Sequence, residues 1–299
     1  MTDYRRPLSF GLSLDPTAGS WAQTRQLAQT AERLGLDHLA VQDHPYQPDH
    51  LDAWTLISHL SALTERIGFV TDVADLQLRP PVMLAKAAVS LSVLTGGRVR
   101  LGVGGGGIPD AIASMGGPAR RGPDMVAYAE ESVELLRRAL NGEVVEHHSP
   151  YHSVGGYQAG PMPPRPVELW LGAQKRRMLT VTGRHADGWI SPLNIYVTPR
   201  EVPARQQIID EAAVSAGRDP RTLRRVYNVI GAIGGPASGP GLVGDTARWV
   251  DTLTEWAVDL GFDTFVLWPV AEPERQAALF AHEIVPAVRE QVEAIRSAW

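Results

Sequence analysis

The sequence predicts an α/β barrel of eight strand–helix units, a (β/α)8 or TIM barrel, and three observations predict it. Short β-rich runs alternate with amphipathic helical runs, eight such units can be counted, and no Pro/Gly-rich linker divides them. Short parallel strands need helical crossovers, and eight of them close naturally into a barrel. A chain of 299 residues is of ordinary length for such a barrel as one domain, 1–299. The competing architecture is an open doubly wound sheet.

The first strand is read at 8–14. Ser20 is placed to cap the next helix, where Leu27, Ala28, Ala31 and Leu34 form one stripe before Gly35 ends it. Strands at 38–41, 67–73 and 99–103 are followed by helices at 53–63, 81–94 and 125–140. Strands at 168–171, 188–191, 225–230 and 264–267 then alternate with helices at 177–184, 200–216, 246–260 and 274–295. Between the two sets, after the fourth unit, lies an irregular insertion at 142–166, rich in Gly, Pro, His and Tyr. A long loop inside a compact domain is usually functional, often a lid.

Composition narrows the function. Hydrophobic residues make up 44% and charged residues 20%, as in folded globular proteins. A net charge of −5 gives no reason to expect nucleic acid or an anionic membrane as partner. The absence of cysteine excludes disulfides, thiolate metal sites and a Cys nucleophile. The first fifteen residues show no secretory pattern and no run of about 18 apolar residues occurs, so a cytoplasmic location is expected. His147, His148 and His152 cluster in the insertion, but without a helical carboxylate partner no metal site is expected. Serine-elbow, Walker and metalloprotease motifs are missing.

In a barrel the chemistry sits where strands end and helices begin. Asp43-His44-Pro45-Tyr46 follows the second strand, and Thr71-Asp72-Val73-Ala74-Asp75 ends the third. Imidazole titrates near neutrality, so His44 is the candidate catalytic residue and proton donor. Four glycines, Gly104, Gly105, Gly106 and Gly107, follow the fourth strand. Bare backbone there suits a flat ring lying on it. The literal Gly102-x-Gly104-x-x-Gly107 match to a dinucleotide fingerprint is discounted, because it lies on the fourth strand and Pro109 follows. Gly172, Ala173, Gln174, Lys175, Arg176 and Arg177 join a small-residue turn to a helix start, a place for an anion. Ser191 and Asn194 follow the sixth strand. Trp268, at the end of the eighth, is the tryptophan expected near a ligand, whereas Trp54, Trp170, Trp189, Trp249 and Trp256 read as core or interface.

These junctions resemble a known family. AVQDHP at 40–45, LTERIGFVTDV at 63–73, PVMLAKAAVSLSVLTGGRVRLGVGGG at 81–106, ELWLGA at 168–173 and GRHADGWI at 183–190 are similar, in order and spacing, to the luciferase-like monooxygenase superfamily over about 10–194. The resemblance implies a barrel that binds FMN or the deazaflavin coenzyme F-420 at the carboxyl ends of its strands. The Asp43-His44 pair resembles the deazaflavin-dependent branch, with His44 beside the reactive ring. The resemblance also implies a bulge at Asp72-Val73 behind the ring, often with a cis peptide, and a phosphate-binding turn at 172–177. Sugar-phosphate dehydrogenases of this branch carry a catalytic Glu where this chain has Gly107, which argues against that reaction; Asp110 is close by.

The expectation is therefore an oxidoreductase moving a hydride between coenzyme F-420 and a small organic substrate. An FMN-dependent monooxygenase is the alternative, and a non-catalytic flavin-binding barrel the third reading. A homodimer is expected from the family's habit and from the apolar helix at 53–63.

Overall fold

The computed structural model describes residues 3–234 and 239–298. Among these residues the strands are β1 Ser9–Leu14, β2 His38–Val41, β3 Gly68–Thr71, β4 Ala74–Asp75, β5 Val99–Gly104, β6 Val144–His148, β7 Ser153–Gln158, β8 Leu169–Gly172, β9 Gly188–Ser191, β10 Arg224–Ile233, β11 Leu242–Gly244 and β12 Thr264–Pro269. The α-helices among them are α1 Trp21–Arg33, α2 Ala53–Ser61, α3 Pro81–Leu94, α4 Pro109–Ser114, α5 Gly122–Leu140, α6 Arg176–His185, α7 Val202–Ser215, α8 Thr246–Val258, α9 Pro273–Leu279 and α10 Val285–Ser297.

The eight strands β1, β2, β3, β5, β8, β9, β10 and β12 pair in parallel in that order, and β12 returns to β1. The sheet is a closed barrel. Side chains alternate across each strand. Ala40, Val70, Trp170, Ile190, Val226 and Val266 form a small cluster apart from the main core, one from each of six strands, and fill the barrel interior. The much larger core lies between strands and helices, with Phe10, Leu12, Leu39, Phe69, Leu101 and Phe265 fully buried in it.

The period of two carries that interior face upward. Two residues beyond Val70, Val226 and Val266 stand Asp72, Asn228 and Trp268. The strand ends thus deliver polar and aromatic groups to the barrel mouth.

Several expectations need correction. The third strand does not run through 73: β3 stops at Thr71, the Asp72–Val73 peptide is cis, and β4 resumes the pairing with β5. The insertion at 142–166 is not one irregular loop, because β6 and β7 form an antiparallel hairpin. Val145 and Val154 alternate with exposed neighbours and bury against the core, which gives the hairpin its reason to form. Ser20 stands at the N-cap of α1 but makes no capping hydrogen bond; the chain enters through a 3-10 turn, Ala18–Ser20. The last helix is interrupted by a π-helical turn, Phe280–Ile284, and α4 was not foreseen. The apolar face of α2 is spent inside the chain, since Ala53, Trp54, Leu56, Ile57 and Leu60 are buried. Among the described residues no helix is long and apolar enough to cross a membrane.

Candidate active site

A cavity of about 740 Å³ opens at the carboxyl ends of the strands. Its floor is built around Val73. A side chain on Gly104 would meet Val73 Cγ2 at 2.7 Å, and one on Gly172 would meet both Val73 methyls at 3.2 Å. These two glycines let the bulged valine lie between β5 and β8. The bulge is tied down from β3, where the Thr71 hydroxyl donates to Gly102 O at 2.7 Å and accepts from Gly102 N at 3.1 Å.

The glycine turn behaves less uniformly than its sequence. Gly104, Gly105, Gly106 and Gly107 all line the cavity. Gly106 has φ +88°, and a Cβ there would meet Gln77 Nε2 at 2.6 Å and Asp75 Oδ1 at 2.9 Å. Gly106 must therefore stay small for its own scaffold, which corrects the expectation that a ligand ring alone imposes this. Gln77 braces the turn from behind, donating to Gly105 O at 3.0 Å and accepting from Arg120 N at 2.6 Å. Next to Gly107 there is open space. Asp110, the near neighbour of the missing Glu position, is held by Arg121 at 2.5 Å and does not line the cavity.

Asp43 and His44 both line the cavity but differ in freedom. Asp43 is buried, and both its oxygens are held by Arg79, at 2.7 and 2.8 Å. Arg79 also pairs with Asp52, which caps α2 by accepting from Thr55 N at 2.9 Å. The carboxylate of Asp43 thus fixes the loop. His44 stacks between Tyr46, 5.5 Å away, and His50, 6.2 Å away. Burial and the nearby His50 lower its pKa against the pull of Asp43. His44 is accordingly neutral at pH 7. A neutral imidazole can accept a proton or donate one, the two roles that the sequence leaves open.

Asp72, which the resemblance places at the bulge, has a perturbed carboxyl. It lines the cavity, among the described residues no cation is paired with it, and burial pushes its carboxyl up to about 7 against a hydrogen bond from Asn228. Asp75 is pushed up to about 6, mainly by burial. Asn228 Oδ1 and Trp268 Nε1 are buried without a hydrogen-bond partner in the protein.

Two helix starts also reach the cavity. Lys175 is the N-cap of α6 and Arg121 the N-cap of α5, and neither terminus has a side-chain cap. Gly172, Ala173, Gln174 and Lys175 line the cavity, as do Arg121 and Gly122. Free N–H groups at helix starts favour an anion. Arg176 and Arg177 do not line it, and Arg177 instead pairs with Glu130 at 3.0 Å. Asn194 is likewise structural, accepting from Ile230 N at 3.0 Å. His147 pairs with Glu131 at 2.9 Å and His152 with Ser132 at 2.8 Å, so these histidines serve the hairpin.

The family model described as luciferase-like monooxygenase matches residues 8–235. The chain belongs to the luciferase-like monooxygenase family. An uncharacterised protein of Mycobacterium tuberculosis is 31% identical over 186 residues, 55% of this chain and 63% of that protein. The phthiodiolone/phenolphthiodiolone dimycocerosates ketoreductase of the same species is 32% identical over 202 residues, 65% of this chain and 50% of the ketoreductase. The chain therefore spans between half and two thirds of the length of these relatives. Among solved structures, an F420-dependent secondary alcohol dehydrogenase in complex with an F420–acetone adduct shares the fold at TM-score 0.83, with 16% identity, 95% of this chain and 99% of that chain. The EDTA monooxygenase of Chelativorans sp. BNC1 does so at TM-score 0.81, with 16% identity, 96% and 94%. The solved neighbours include an F420-dependent enzyme and a monooxygenase, and the cavity can be compared with the needs of a flavin-type cofactor.

The residues present fit such a cofactor. The glycine turn and the Val73 bulge offer a side-chain-free wall and a floor for a flat ring. Asn228 Oδ1 and Trp268 Nε1 lack protein partners at that floor. Lys175, Arg121 and two helix starts could hold a phosphate-bearing arm. Asn228, Arg121 and Met125 were missed in the sequence. Asn228 could have been found by counting two positions on from an interior strand residue.

Proposed function

We propose that this chain is an oxidoreductase that uses coenzyme F-420 to transfer a hydride to or from a small organic substrate. The observation that carries the reading is His44: a neutral imidazole at the cavity, with no hydrogen bond to the protein among the described residues. A bound deazaflavin ring supplies the hydride chemistry and handles oxygen poorly. The chain's own residues do the rest. Val73 and the glycine turn support a ring, while Lys175 and Arg121 attract its anionic arm. Neutral His44 takes the hydroxyl proton when an alcohol is oxidised and returns it in the reverse direction. Arg79, through Asp43, holds the loop that carries His44.

The alternative reading is an FMN-dependent monooxygenase, supported by the likeness to the EDTA monooxygenase fold. Titrating the protein with coenzyme F-420 and with FMN, followed by visible absorbance, separates the two. Tighter binding of coenzyme F-420 is expected, and preference for FMN would reverse the assignment. A cytoplasmic homodimer with a small-molecule substrate completes the proposal. The exposed apolar residues Met83 and Leu94 on α3, 61% and 82% accessible, are the surface offered for pairing. Sedimentation showing a monomer at micromolar concentration would reject the dimer.

A further inference from the structure

Of the carboxyl groups that line the cavity, Asp72 is held least. Asp43 is clamped by Arg79, and Asp75 accepts from Gln77 N at 2.8 Å. Asp72 has one neutral partner, the Asn228 amide, and among the described residues no paired cation. One amide leaves part of a carboxyl group's hydrogen-bonding capacity unused. Asp72 is also the chain neighbour of Val73, and both line the cavity, so this carboxyl belongs to the floor itself.

The surroundings of Asp72 divide in two. Towards the barrel interior lies the apolar layer of Val70, Trp170, Ile190, Val226 and Val266. The charged groups of the barrel's other end, Arg100 and Arg224 beside buried His38, stand earlier on their strands than that layer. On the other side Asp72 keeps part of its surface open and lines the cavity. The titratable groups that share this space are Asp43, His44 and Tyr46 from the loop after β2, Asp75 on β4, Tyr196 after β9, and Arg121 and Lys175 at the helix starts. Asn228 is the one bonded partner that bears on the Asp72 carboxyl among the described residues. Burial raises that carboxyl to about 7, so near neutrality it carries an O–H that can donate.

We propose that Asp72 is a further cofactor-contacting residue: its carboxyl O–H donates to the reduced ring from the cavity floor, and Asp72 holds or takes up a proton as the ring gains charge. A flavin or deazaflavin ring that receives a hydride carries a negative charge until a proton follows. A neutral acid beside that charge makes a charge-assisted hydrogen bond, whereas an ionised one repels it. The hydride comes from the substrate, and the proton, where Asp72 lacks one, comes from water. His44 keeps the separate task of the alcohol proton. The inference rests on the proposed function for a ring seated at Val73, and it applies to either ring.

The test measures binding, not turnover. Coenzyme F-420 and FMN, each in its oxidised form and reduced beforehand, are titrated without oxygen into the full chain, followed by tryptophan fluorescence. The readout is the ratio of the oxidised to the reduced dissociation constant. At about pH 6, Asp72→Leu removes the donor and should lower this ratio about tenfold, while Asp72→Asn keeps a neutral donor and should match the wild type. At about pH 9 the wild type should fall about tenfold below Asp72→Asn, because its acid must first take up a proton. Comparing the two proteins at one pH cancels the titration of the free cofactor. A ratio that Asp72→Leu leaves unchanged, or a wild type that tracks Asp72→Asn at both pH values, overturns the proposal. Equal weakening of both forms by both variants marks a structural residue and does the same. Should Asp72→Leu not fold, the comparison with Asp72→Asn decides alone. If FMN binds with this pattern and coenzyme F-420 does not bind, the deazaflavin reading fails and the role of Asp72 stands. If coenzyme F-420 binds with ratios indifferent to Asp72, that role fails alone. If neither ring binds, both fall.

Discussion

Two carboxyl groups, Asp43 and Asp72, face the same cavity, and the protein treats them in opposite ways. Asp43 is clamped by both nitrogens of the Arg79 fork, and Arg79 is shared with the cap of α2. Asp72 stands two residues above Val70 with an amide neighbour and, among the described residues, no paired cation, and burial raises its carboxyl to about 7. Both are strand-end acids in the sequence. One is a brace whose charge is fully used, and the other keeps a proton that can respond to whatever enters. A perturbed acid in a cleft marks chemistry more often than a satisfied ion pair does.

The largest effect should come from breaking the brace. Arg79→Ala strands a buried carboxylate and is expected to cost about 4 kcal/mol in urea unfolding. A loss below about 1 kcal/mol would mean that Asp43 is not held by this pair. Asp72 should show the converse. Its carboxyl keeps a proton in the folded protein up to about pH 7 but loses it near 3.8 when unfolded. Folding therefore takes up a proton between those values, and stability falls as pH rises through that window. Asp72→Asn removes the cost. Its stability relative to wild type should rise by on the order of 3 kcal/mol from about pH 4 to pH 8. A difference that stays flat with pH would make Asp72 an ordinary ionised acid like its neighbour.

Smaller effects sharpen the comparison at the site itself. His44→Ala should keep stability and cofactor affinity yet lose about a hundredfold in turnover. Alcohol oxidation by the wild type should be level from neutral pH upward. It should fall at acid pH, where His44 takes a proton below the usual histidine range. Turnover within threefold of wild type would remove His44 from the chemistry. Smallest is the anion site. Lys175→Ala should weaken cofactor binding about tenfold, as loss of one charge-assisted hydrogen bond does. Arg176→Ala and Arg177→Ala should bind nearly as wild type, since neither residue lines the cavity. Equal losses at all three positions would show a diffuse charge effect instead.

The barrel was legible because alternation and helical stripes are local. The strands at 38–41 and 188–191 have the bounds read from the sequence. The site was legible in part. Asp72, Val73, Gly104 and Gly172 lie at one cavity, but their mutual reason, a valine bulge seated between two glycines, needs β3, β5 and β8 together. The Asp43–Arg79 clamp joins residues 36 apart in sequence, and no local pattern announces it. Three consecutive basic residues at a helix start fan out, so the sequence allows only some of them to face the phosphate turn without saying which; the structure places Lys175 at the cavity and turns Arg177 towards Glu130. The hairpin at 144–158 was hidden because glycines and histidines mask its alternation.

The central claim, hydride transfer through a deazaflavin, is tested most directly by an anaerobic turnover. Reduced coenzyme F-420, the protein and a small uncharged ketone are mixed without oxygen, and both coenzyme oxidation and alcohol formation are followed. The account predicts that the two proceed together, one alcohol for each coenzyme oxidised, and that His44→Ala slows both. Turnover that occurs with reduced FMN and requires oxygen, with none from coenzyme F-420, would contradict it.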